Sequence, residues 1–217
     1  MTDYSSLRTA MVDHQIRPSD VTKYPVIEAM LAIRREVFVP DGLKAVAYTG
    51  EHLDLGRGRF LLDPRIFAKM LDVLDVGPQD LVLDLGCGLG YSSAVIARMA
   101  EAVVAVEEDE TLVRDAEEAL AVESVDNAVV MQAPLSAGAP QHGPYDALIL
   151  EGSVEIVPDT LLAQLKDGGR LVAIFAGKGA GHCRFGVKTE AGVSWRTVFD
   201  CTAPALPGFA RELDFVL

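Results

Sequence analysis

The residues best suited to chemistry are an acid and three glycines in the run Asp84-Leu85-Gly86-Cys87-Gly88-Leu89-Gly90-Tyr91. Glycines let a backbone approach a ligand closely and adopt positive φ, and the helix N-terminus that follows such a loop presents free N–H groups. The spacing is G-x-G-x-G; the dinucleotide fingerprint G-x-G-x-x-G would need a glycine where Tyr91 stands. Glu107 closes the next apolar run, AVVAV, about 20 residues further on, where a carboxylate can accept hydrogen bonds from a ribose diol. Asp84 would repel a pyrophosphate and suits a ligand that carries a cation.

A nucleoside with a sulfonium and an amino-acid tail, S-adenosylmethionine, meets all three conditions. The expected cofactor-binding set is Asp84, Gly86, Cys87, Gly88, Gly90, Tyr91 and Glu107, with Cys87 a small filler rather than a nucleophile. Methyl transfer from a sulfonium is an in-line displacement that rests largely on alignment. A carboxylate acceptor is already ionised at pH 7 and needs no general base. An enzyme of this kind therefore needs no Ser/His/Asp or Cys/His set. The histidines, His14, His52, His142 and His182, are scattered without ligand spacing, so no metal is expected.

The elements that must position these residues alternate regularly after residue 81. Strands are expected over 81–85, 102–106, 128–132, 145–150 and 170–175, with helices over about 91–100, about 109–121 and TLLAQL. These strands are near-continuous apolar runs, as in a parallel sheet covered on both faces. RFGVKTE and VSWRTVFD, joined at Ala191-Gly192, predict an antiparallel hairpin on the sheet edge. Before them, residues 5–40 read as helical, residues 47–60 as irregular, and Asp63-Pro64 as the cap of a helix through Phe67, Met70, Leu71 and Leu74. The chain is expected to be one α/β domain, 1–217, with a doubly wound, mostly parallel sheet. Residues 1–62 form its helical and irregular extension and 63–217 its cofactor-binding core.

Composition bounds the partners. Among 217 residues, 19 are basic and 32 acidic, a formal net charge of −13. A field of that sign repels phosphate backbones and anionic headgroups, so neither nucleic acid nor membrane is an expected partner. Cys87, Cys183 and Cys201 lack any paired spacing, and the amino terminus has no basic head before an apolar core. A cytoplasmic location is expected.

With these residues in view, the chain resembles the protein-L-isoaspartate (D-aspartate) O-methyltransferase family nearly end to end. MVDHQI (11–16), Phe38-Val39-Pro40, Ala47-Tyr48 and Leu53-Asp54-Leu55-Gly56-Arg57-Gly58 look like that family's amino-terminal signatures. VLDLGCGLGYSSAVIA (82–97) resembles its cofactor motif, and PYDALIL with PDTLLAQLKDGGRLV its later sheet motifs. The resemblance implies the doubly wound methyltransferase fold, S-adenosylmethionine as donor, a protein or peptide substrate and repair of isoaspartyl residues. Where the family reads QTISQP, this chain has Arg59-Phe60-Leu61-Leu62-Asp63-Pro64, so Phe60 and Leu62 replace the Thr and Ser that contact the isoaspartyl carboxylate. Which residue carries the catalytic role in their place is left open by the sequence. Arg59 is a candidate substitute donor, and Arg59, Phe60, Leu61 and Leu62 are the expected substrate wall. Where the family has GDG, Ala133-Pro134-Leu135 stands, with Pro134 in place of an acid; Glu151-Gly152-Ser153 replaces a run of small residues. A methyltransferase with another acceptor, or a non-catalytic S-adenosylmethionine-binding regulatory or interaction protein, fits the same residues.

Overall fold

The computed structural model describes residues 2–177 and 179–211. Helices α1 (Tyr4–Met11), α2 (Tyr24–Ala32) and α3 (Pro64–Leu74) come first, with a small antiparallel hairpin of β1 (Leu53–Gly56) and β2 (Arg59–Leu61) before α3. Then follow β3 (Leu81–Leu85), α4 (Tyr91–Ala97), β4 (Ala102–Glu107), α5 (Glu110–Val122), β5 (Ala128–Gln132), β6 (Tyr145–Val154), α6 (Asp159–Leu162), β7 (Leu165–Phe175), β8 (His182–Thr189) and β9 (Gly192–Asp200). The main sheet has seven strands in the order β5-β4-β3-β6-β7-β8-β9. Its first five strands are parallel, and β8 and β9 are antiparallel. Order reverses between β3 and β6, so the ligand crevice of such a sheet lies outside their carboxyl ends.

Alternate residues of the central strands face opposite cores. Val82, Ala105, Ile149 and Val172 join the core beneath α1–α5, while Leu83, Val104, Leu148 and Leu171 join a second core with Leu161, Leu206 and Phe209. Apolar side chains on both faces are what a covered parallel sheet requires.

The expected strands and C-terminal hairpin are present, with differences in detail; the strand expected over 170–175 begins at Leu165, and the helix expected over about 91–100 ends at Ala97. Residues expected to be irregular contain the β1–β2 hairpin, turned at Gly56-Arg57-Gly58. The strand expected over 145–150 runs on to Val154. The helix expected over TLLAQL is a single turn, Asp159–Leu162. It stops because the Gln164 carbonyl accepts from Tyr145 N–H at 2.8 Å, while its side-chain amide donates to Ala137 O and Thr160 O. The backbone is thereby drawn into β7.

Arg35 ties the amino-terminal region to the segment bearing the hairpin. Fully buried, it donates from Nε to Ala47 O at 2.6 Å and from Nη2 to Leu62 O at 2.7 Å, and its guanidinium lies 4.8 Å from the Tyr91 ring centroid. Arg35→Ala strips both carbonyls of their donor and opens a cavity. The expected loss is about 3 kcal/mol or more in urea denaturation. A loss below about 1 kcal/mol would contradict this role.

Candidate active site

The glycine loop leaves β3 with Gly86 at φ +82° and Gly88 at φ +56°, backbone that L side chains rarely adopt. Gly86 N donates to Val106 O at 2.9 Å, which fixes the loop against β4. Asp84 is fully buried just before it. Asp84 Oδ2 accepts from Ser92 Oγ and Ser93 Oγ, both at 2.6 Å, and Oδ1 has no partner. Burial pushes its carboxyl up to about 6, against the two serine hydroxyls, with the Glu107 charge adding to the rise. Glu151, in the carboxyl half of β6, is also buried with Oε1 unpartnered; burial first, and then the charge of Asp84, hold its carboxyl well above the usual range. Cys87 is buried beside these acids, and burial raises its thiol too, as suits a filler.

Glu107 stands where the sequence placed it, at the carboxyl end of β4, but its acceptor capacity is already filled. Oε1 accepts from Glu108 N at 2.8 Å and Asp109 N at 3.2 Å; Oε2 accepts from Arg59 Nε at 2.8 Å and Gly88 N at 3.2 Å. A carboxylate offers about four lone-pair sites, so a ribose diol would have to displace one of these donors.

The same contacts place the residues expected at the substrate. Arg59 is buried, and besides its Nε on Glu107 its Nη2 donates to Glu108 Oε1 at 2.9 Å. Leu61 and Leu62 are core residues rather than an exposed wall, because the hairpin turns them inward; Phe60 alone of the three is half-buried. The Tyr91 side chain points away from the loop into the core, with Phe38 and Phe67 rings 5.8 Å from its own. Only its backbone remains near the glycines.

Sequence reading missed Leu206 and Leu55. A Cβ at Gly86 would stand 2.8 Å from Leu206 Cδ2, one at Gly152 2.7 Å from Leu206 Cγ, and one at Gly88 2.9 Å from Leu55 Cδ1. Leu135, in the segment where an acid was expected at Pro134, also closes on Gly86. A loop crossing of this kind leaves no periodic signal in sequence.

The mostly parallel sheet, with a glycine loop at its switch point, has the fold of the Rossmann-like S-adenosylmethionine-dependent methyltransferases. The protein-L-isoaspartate(D-aspartate) O-methyltransferase family matches residues 6–191, and the chain belongs to that family. The protein-L-isoaspartate O-methyltransferase of Pelotomaculum thermopropionicum is 36% identical over 166 residues, 76% of this chain and 72% of the relative. That of Methylorubrum extorquens is 37% identical over 170 residues, 78% of this chain and 74% of the relative. Among solved structures, a protein-L-isoaspartate O-methyltransferase shares the fold with TM-score 0.76 and 22% identity over 94% of this chain, which spans 66% of its length. A Plasmodium falciparum beta-aspartate methyltransferase in complex with S-adenosyl-L-homocysteine shares it with TM-score 0.77 and 17% identity, over 94% of this chain and 99% of that one. No helix among the described residues is long and apolar enough to cross a membrane.

The raised carboxyl of Asp84 makes stability depend on pH. The folded state keeps this proton to about pH 6, whereas the ordinary value is 3.8. Its contribution is therefore full below about pH 4 and is lost as pH rises through about 6. Asp84→Asn keeps an acceptor for the serines and cannot ionise. Relative to wild type it should gain about 2–3 kcal/mol between pH 4 and pH 8 in urea midpoints. A constant difference across that range would contradict the assignment.

Proposed function

We propose that this protein is an S-adenosylmethionine-dependent carboxyl methyltransferase of the isoaspartyl type, acting on damaged protein or peptide. The observation that carries the proposal is the family match over residues 6–191, which spans the glycine loop, both switch-point strands and the amino-terminal signatures. The unpartnered Oδ1 of Asp84 and Oε1 of Glu151 agree with it, since one open buried carboxyl oxygen on each acid suits a ligand bearing an ammonium and a sulfonium.

The rest of the crevice does not fit that cofactor as it stands. Leu206 and Leu135 press on Gly86, Leu55 covers Gly88, and Arg59 holds Glu107.

The acceptor side also differs from the family. Phe60 and Leu62 supply no hydroxyl, and Arg59 is engaged by two glutamates. An anion placed there would lack donors, which is costly. Transfer to an isoaspartyl carboxylate is therefore slow, and Phe60, the only half-buried member of the pair, is the position at which a hydroxyl can be added without cutting into the core.

The test uses a labelled methyl donor with an isoaspartyl peptide and its normal aspartyl isomer. Wild type is expected to label the isoaspartyl peptide slowly and the isomer not at all. Phe60→Thr is expected to raise the rate by about tenfold, the effect of one added hydrogen bond of roughly 1.4 kcal/mol. Equal labelling of both isomers, or none by either protein, would contradict the reading.

A further inference from the structure

The segment after β9 returns across the carboxyl end of β6 and is held there by its backbone. Ser153 N donates to Pro204 O and Leu206 N donates to Ser153 O, both at 2.8 Å, making a short parallel bridge between Ser153 and Ala205. Further along, Glu155 N and Ile156 N both donate to Phe209 O, at 3.1 and 3.2 Å. At the near end His52 Nε2 meets Thr202 O at 3.0 Å while its Nδ1 accepts from Asp63 N–H, so the ring is the tautomer that donates to the strap. Phe209 is buried and anchors the far end in the second core.

Between these anchors the strap inserts one side chain, Leu206, at the point where the strand order reverses. Gly86 and Gly152 lie on neighbouring strands there, and Leu206 touches the Cβ position of each. A sheet of this topology receives its ligand at that place. On the other side of the loop Arg59 covers Glu107, and a Cβ at Gly88 would lie 3.8 Å from its own Cβ. The crevice is thus filled by Leu206 and Leu135 of the second core, Leu55 of the first and one buried cation, Arg59, all from this chain.

We infer that residues Thr202–Phe209 form an autoinhibitory strap: Leu206 and the amino-acid end of a bound cofactor exclude one another, and cofactor enters only when the strap leaves Ser153. The inference rests on the proposed function, since without a cofactor the strap has nothing to exclude. The apparent affinity is then the intrinsic affinity multiplied by the fraction of molecules with the strap open. Removing the leucine side chain raises that fraction.

The experiment is calorimetric titration of S-adenosyl-L-homocysteine into wild type and Leu206→Ala, with hydrogen exchange of wild type over residues 84–91, 151–156 and 200–211, without and with saturating ligand. Leu206→Ala is expected to bind at least tenfold more tightly than wild type. Ligand is expected to speed exchange at the strap-bridge amides of Ser153 and Leu206 while slowing it in the glycine loop. Equal affinities in the two proteins overturn the strap and leave the proposed function standing; no heat with either overturns both. Should Leu206→Ala fail to fold, the wild-type exchange decides alone, and unchanged or slower exchange at Leu206 overturns the inference.

Discussion

Arg59 and Glu107 form an ion pair buried on both sides, and the site is arranged around it. A guanidinium removed from water is tolerable only with its carboxylate beside it, and removing either partner leaves an uncompensated charge. The pair therefore pins the β1–β2 hairpin to the end of β4. That contact brings Leu55 over Gly88 and turns Leu61 and Leu62 into the core, where the Leu62 carbonyl meets Arg35. The hairpin, the loop and the amino-terminal region thus meet through Arg59 and Arg35.

The acids of the crevice divide by how they are satisfied. Glu107 is fully donated to, Asp84 is half satisfied by two serines, and the Oε1 of Glu151 has no donor. An unpaired carboxylate in a low dielectric takes up a proton, which is why Asp84 and Glu151 are raised. Both groups are thereby poised for an incoming cation, whose charge would draw each back toward its ionised form.

The sheet was legible in sequence because its strands are apolar on both faces and its loop spacing is specific. Asp84, Gly86, Gly88 and Glu107 are placed by local pattern, since each lies at a strand end. What escaped is what depends on distant packing. Arg59 reads as a free donor until β2 brings it to β4, 48 residues away. Tyr91 follows the glycines in sequence, yet the first turn of α4 aims it at Phe38 and Phe67. Leu206 carries no periodicity and no motif, and its meaning comes only from the bridge to Ser153.

The central claim is that one crevice has two exclusive occupants, this chain's Leu206 and a cofactor. A pair of crystal structures of the full chain, grown without and with S-adenosyl-L-homocysteine, tests it most directly. The account predicts Leu206 against Gly86 and Gly152 in the first, and in the second the ligand over the glycine loop with the Ser153–Leu206 bridge broken. Ligand seated on the loop while Leu206 still lies between those glycines would contradict it.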